Sequence, residues 1–217
     1  MEGLSIADVK LVSVLRKELL LSQDILEEIR RVVKTINEQG LRDEQRERIE
    51  RIQKTKSQTQ TLQTEYIDYL TKASRGLMHR EEWVRIGSRV MSVVDKLSGI
   101  SYRLGFLIEK NWVVPEKVAS NFAAMCDNLS MMVSTLDQAM NKLLSSPPQA
   151  LEDLRKISEY ESTIDSLYRS TIFEVLGSNI SSSTMLLLLG IAEMLEDSSD
   201  ILYDLVSNLY IILLEST

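Results

Sequence analysis

Residues 185–214, MLLLLGIAEMLEDSSDILYDLVSNLYIILL, decide the fold. Leu188, Ile191, Leu195, Leu202, Val206, Leu209 and Leu213 recur at the spacing of one helical face. Glu193, Glu196, Asp197, Asp200 and Asp204 recur at the same spacing on the other side. The segment therefore predicts one long amphipathic helix, with an apolar face that needs a core and a strip of carboxylates opposite it. No Lys or Arg follows Arg169. Like-charge repulsion of roughly 0.2–0.5 kcal/mol per pair is thus not relieved from within the helix. The neutralising charge has to come from outside it, and a cation is the simplest source. A second acidic spacing of four, Glu161 to Asp165, stands on the preceding helical segment.

Upstream, the same periodicity predicts five more helices. The first runs from Ser5 or Asp8 to Glu38 along Leu11, Leu15, Leu19, Ile25, Ile29, Val32, Val33 and Ile36, with Gly40 as its stop. The second runs from Arg42 to Ser74 and opens with a charge-dense face that reads as solvated. After a break at Gly76 to Arg80, the third runs from Glu81 to Asn111. The fourth starts at Pro115 or Glu116 and reaches Leu144 through Met125, Met131, Met132 and Met140, which read as core filler. Ser145, Ser146, Pro147 and Pro148 form a linker before the fifth, which ends near Gly177, and the sixth follows the cap-rich stretch Ser178 to Thr184.

Eight Gly and three Pro among 217 residues are too few for the turns of an all-β chain, so the class is all-α. The lone Cys126 lies in an apolar helical run, which suits a buried thiol in a reducing cytosol. The most apolar run, Met185 to Leu195, is interrupted by Glu193 well short of the ~20 residues of a membrane span, and no export signal opens the chain. A cytoplasmic protein is expected. Residues 1–110 carry 20 Lys+Arg against 17 Asp+Glu, whereas residues 111–217 carry 5 against 15. This balance disfavours nucleic acid as a partner. One His, one Cys and no Gly-rich phosphate loop leave the usual nucleophilic and nucleotide chemistries without their residues, so no enzyme is expected. His79, placed in a break, reads as a solvated turn residue, and zinc or di-iron sites built on histidine are excluded.

The six helices fall into two sets of three, residues 1–112 and 113–217, that align at an offset of 105. Leu62 matches Leu167, Ile67 matches Ile172, Ile86 matches Ile191, Asp95 matches Asp200, Leu97 matches Leu202 and Leu104 matches Leu209. The breaks align as well, which points to an internal duplication.

Tandem three-helix units with Glu-x-x-x-Asp spacings on their second and third helices resemble the PhoU family, especially its small PhoU-like branch. The segments carrying the resemblance are Glu161-Ser-Thr-Ile-Asp165-Ser-Leu-Tyr-Arg169 and Leu195-Glu196-Asp197-Ser-Ser-Asp200-Ile-Leu-Tyr-Asp204. The resemblance implies two spectrin-like three-helix bundles, a cytoplasmic location, carboxylate-bound iron or zinc clusters on the bundle surface, and a role in phosphate transport and its regulation. Where the second half has Glu161, Asp165, Glu196, Asp200 and Asp204, the first has Lys56, Gln60, Met91, Asp95 and Gly99. Metal binding is therefore expected in the second half alone.

The expected ligands are Glu161, Asp165, Glu196 and Asp200, with Glu193, Asp197 and Asp204 as outer ligands or second shell. Carboxylates at this spacing suit hard cations such as Fe, Mn, Mg or Ca, and the resemblance adds zinc. The bland reading is an acidic face shown to water beside an ordinary i, i+4 charge ladder of Glu161, Asp165 and Arg169. Regulation is expected through protein contact with a phosphate transporter or phosphate-sensing protein, peripheral to the membrane, and self-association is compatible with it. The first half, with its basic surplus at Lys54 and Lys56, reads as the contact half. The competing function is a metal-free helical adaptor that meets a basic partner through its acidic face.

Overall fold

The computed structural model describes residues 5–73, 77–143 and 145–215. Six α-helices account for nearly all of them: α1 (Ile6–Lys34), α2 (Arg42–Lys72), α3 (Arg80–Glu109), α4 (Glu116–Lys142), α5 (Pro147–Gly177) and α6 (Ser182–Glu215). No strand occurs among the described residues.

Helix α1 begins where the sequence places it, because Ser5 and Asp8 form a reciprocal capping box that satisfies the first free N–H groups. It ends earlier than expected. Thr35 caps it, and Gly40 lies instead within a 3-10 turn, Gln39–Leu41, with no positive φ. The stop comes from side chains: the Gln45 amide donates to the Thr35 carbonyl, and Arg42 donates to the Ile36 carbonyl at 2.9 Å. Asn37 pins the far end of the unit, donating to the Val114 carbonyl at 2.8 Å and accepting from the Val114 N–H at 2.9 Å. The one non-glycine residue with positive φ among those described is Asn111 (53°), which turns the chain out of α3.

The core runs through the inner helices. α1 packs on α4, α3 packs on α6, α1 contacts α3, and α4 contacts α6. α2 covers the α1–α3 side, and α5 covers the α4–α6 side. Both inner pairs are antiparallel. Arg16 meets Asp137 at 2.7 Å and Arg30 meets Asp127 across α1–α4, while Arg89 meets Asp204 and Lys96 meets Asp197 across α3–α6. The outer helices bury a narrow seam at a seven-residue step: Gln45, Ile52, Thr59 and Tyr66 on α2, and Ala150, Ile157, Ile164 and Thr171 on α5. These two series stand 105 residues apart, the same offset that aligns the halves in sequence.

The apolar face of α6 is fully engaged: Leu188, Ile191, Leu195, Leu202, Val206, Leu209 and Leu213 are all buried. Side chains of this size contribute roughly 1.5–3 kcal/mol each on burial, which is what holds the helix in place despite its strip of carboxylates. Met125, Met132 and Met140 are in the core, but Met131 is half exposed. Cys126 is buried, and burial pushes its thiol up to about 12, far from reactivity at neutral pH. His79 departs from expectation. The α2–α3 turn folds inward there, so that Leu77 and His79 are buried while Met78 between them is exposed. The end of the predicted second helix at Ser74 and the start of the break at Gly76 lie outside the described residues. Among those residues no helix is long and apolar enough to cross a membrane.

Candidate metal centre

The covering of α6 by α5 brings the two acidic spacings together. Glu161 and Asp165 stand one turn apart on α5, and Asp200 faces them from α6. One carboxylate oxygen from each of the three lies within 4.8 Å of the others. Oxygens bound to a single hard cation at about 2.3–2.6 Å lie at most about 5 Å apart, so this triangle fits the reach of one such ion. Glu196 is not part of the triangle, although it stands in the same field. Burial first, then Asp200, Asp197, Asp165 and Glu193, push its carboxyl up to about 7. Burial and the neighbouring Asp165, Asp197 and Asp204 also raise Asp200 above the usual carboxylate range. Tyr168 borders the site on α5, its phenol raised by burial and by Glu196, Glu193 and Asp197.

The basic charge at the centre itself is small. Arg169 forms an i, i+4 ion pair with Asp165, and the Arg169 side chain is 66% exposed. A pair in that position is screened by water and offsets little of the repulsion.

The remainder of the acidic stripe has a different fate. Asp197 pairs with Lys96, and Asp204 pairs with Arg89 at 3.6 Å. Arg89 also donates to Asn208 Oδ1 at 2.6 Å. Asp197 and Asp204 thus pair with cations of α3 while standing close enough to Asp200 to raise its carboxyl. The neutralising charge is supplied in part by the other half of the chain. Arg103 completes the row, donating to the Gly99 carbonyl at 3.1 Å and lying 3.3 Å from the Met194 sulfur. Arg89, Lys96 and Arg103 step by seven along α3, as Asp204, Asp197 and Gly190 do in reverse along α6. That matched step was present in the sequence, and it escapes any reading that looks for charge partners within one helix.

The first-half counterpart is occupied by the protein itself. Lys56, at the position of Glu161, lies 3.1 Å from Asp95, at the position of Asp200. Lys56 therefore has an ion-pair partner on its own chain, whereas Lys54 is exposed and makes no ion pair among the described residues.

Antiparallel inner pairs and outer helices in matched register make a six-helix bundle, and its likeness to solved structures shows the class: the PhoU-like fold. Solved structures agree over nearly the full length. A PhoU-like protein from Shewanella oneidensis MR-1 superposes with a TM-score of 0.77 at 16% identity, covering 94% of this chain and 99% of that one. PhoU from Pseudomonas aeruginosa gives 0.65 at 15% identity, covering 97% and 99%. The phosphate transport system regulatory protein PhoU from Streptococcus pneumoniae gives 0.55 at 15% identity, covering 95% and 96%. No family model matches the chain. No curated protein matches it by sequence.

Proposed function

We propose that this chain is a non-enzymatic, cytoplasmic regulator of inorganic phosphate transport that works by contact with a membrane transporter or its sensor. The observation that carries the reading is the end-to-end superposition on PhoU-like structures, supported by the carboxylate triangle of Glu161, Asp165 and Asp200 on the bundle surface. These three residues would hold a hard cation, with Glu196 in the surrounding acidic field. The ion would stiffen the α5–α6 seam and change the charge presented to a partner. Iron, manganese or magnesium suit this all-oxygen set; zinc has neither thiolate nor imidazole here to favour it.

The test is co-purification of the tagged chain from its own cells with phosphate permease subunits or the phosphate sensor, at high and at low phosphate. Enrichment of these proteins supports the reading, and their absence under both conditions overturns it. One observation favours the competing metal-free adaptor reading: Lys96 and Arg89 already answer part of the acidic stripe without an ion. An adaptor would bind its partner unchanged after chelation.

A further inference from the structure

The α5–α6 seam continues beyond the carboxylates and changes character. Glu161, Asp165, Tyr168, Ile172 and Leu176 follow one face of α5 at helical spacing, and Asp200, Glu196, Glu193, Leu189 and Leu186 follow one face of α6. One end of this band is acidic and the other is apolar. The apolar end is open to solvent: Phe173 is 74%, Leu176 55% and Leu186 71% exposed. Scattered exposed apolar residues need no explanation, but three large ones on one hairpin beside a strip of carboxylates form a patch. Among charged residues, only Glu174 interrupts the stretch 173–186.

The opposite hairpin, between α2 and α3, also exposes apolar side chains, Ile67, Met78 and Val84. Its charged surroundings are mixed, with Lys72 paired to Asp68 at 4.0 Å and Arg85 to Glu81 at 3.7 Å. The two ends of the molecule thus offer apolar patches with rims of different charge.

We propose that the α5–α6 band, from Leu186, Phe173 and Leu176 to Glu193 and Glu161, docks an amphipathic Lys/Arg-rich helical segment of a partner protein. Charge complementarity selects this occupant. An anionic lipid surface would be repelled by the carboxylates, and an acidic peptide would meet carboxylates outnumbering the nearby cations, of which Arg169 is spent on Asp165, Lys96 on Asp197, and Arg103 on the Gly99 carbonyl. Cytoplasmic segments of membrane proteins carry an excess of Lys and Arg close to their spans, which is the chemistry the band fits. The proposal rests on the preceding reading that the chain works by contact with a membrane protein. It places that contact on the second half, whereas the sequence alone pointed to Lys54 and Lys56 on the first.

The test uses the full chain both as purified and in chelator, where no cation competes for the carboxylates. The probe is a fluorescent Leu/Lys amphipathic peptide of about four helical turns, and binding is read by anisotropy. A Leu/Glu peptide of the same pattern is the charge control. The variant is Phe173→Ser with Leu186→Ser, which leaves net charge unchanged, and the matched control is Ile67→Ser with Met78→Ser. Both variants are compared with the wild type by circular dichroism melts. The expected result is binding of the Lys peptide alone and a loss of about tenfold or more in affinity for the α5–α6 variant only. Equal affinity for wild type and variant overturns the proposal. So do equal losses in both double variants, equal binding of the Glu peptide, or a wild-type dimer that the α5–α6 variant abolishes, which would make a second copy the occupant. Peptide binding without co-purifying phosphate transport proteins would defeat the functional reading and leave this surface standing.

Discussion

The ammonium of Lys56 lies 3.1 Å from the carboxylate of Asp95, in the positions that Glu161 and Asp200 hold in the other copy. The first copy carries its positive charge on its own chain. We therefore expect Asp95→Ala to leave metal content unchanged by elemental analysis. Lys56→Ala should cost less than about 1 kcal/mol in denaturant melts, because a partly exposed pair is worth little. A fall in bound metal in either variant would show that the first half also holds an ion.

For the second copy, protein purified without chelator should contain a hard cation, and Asp165→Ala with Asp200→Ala should lose it. Added iron or manganese at 100 times its dissociation constant should stabilise the wild type by about 2.7 kcal/mol, which thermal melts read directly. The double variant should not respond. Wild type that is metal-free and indifferent to every cation tried would sink the metal centre.

Glu18 is buried on α1, and neither of its carboxylate oxygens has a hydrogen-bond partner. Burial pushes its carboxyl up to about 8. In the unfolded chain the group titrates near its ordinary value of 4.5. Between these values the folded protein holds a proton that the unfolded chain has released, so stability falls as pH rises through the window. We expect a loss on the order of 4–5 kcal/mol from this group between acid and mildly alkaline pH. Glu18→Gln should flatten the slope and gain more at pH 8 than at pH 5, the window edges of this linkage. Parallel pH profiles for the two proteins would refute it.

Gly87 on α3 is a packing glycine. A Cβ there would lie 2.3 Å from Cε1 of Tyr66, whose ring is buried and whose hydroxyl donates to the Trp83 carbonyl at 2.6 Å. The ring cannot retreat without breaking that bond. Gly87→Ala should therefore destabilise by about 1–3 kcal/mol despite its better helix propensity. Tyr66→Phe, which leaves the Trp83 carbonyl its intrahelical bond alone, should cost about 1 kcal/mol. Chemical denaturation measures both, and a stabilised Gly87→Ala would show that the helices separate freely at this point.

Much of this architecture was legible in the chain. The apolar period of α6 named its buried face, and the 105-residue offset reappears in the buried seams of α2 and α5, because both follow from side-chain periodicity along a single helix. What escaped the sequence depends on pairing between helices. Asp197 and Asp204 look free on α6, and only the antiparallel register with α3 shows Lys96 and Arg89 opposite them. Lys56 looks like surface charge until α2 is laid on α3. His79 looks like a solvated turn because nothing local says that the turn folds inward. The convergence of Asp200 with Glu161 and Asp165 was anticipated by spacing, whereas the place of Glu196 outside the triangle needed the relative rotation of α5 and α6.

The row of contacts from α3 to α6 joins a residue of one repeat to a residue of the other at every step. A substitution on either side is felt by both repeats at once, so the duplicated halves are no longer interchangeable parts. Removing the cation at position 89 or 96 would leave a carboxylate of α6 without its partner across the bundle. The charge of α6 is in this way set by α3 as much as by its own residues, and neither helix can change sign along the row alone.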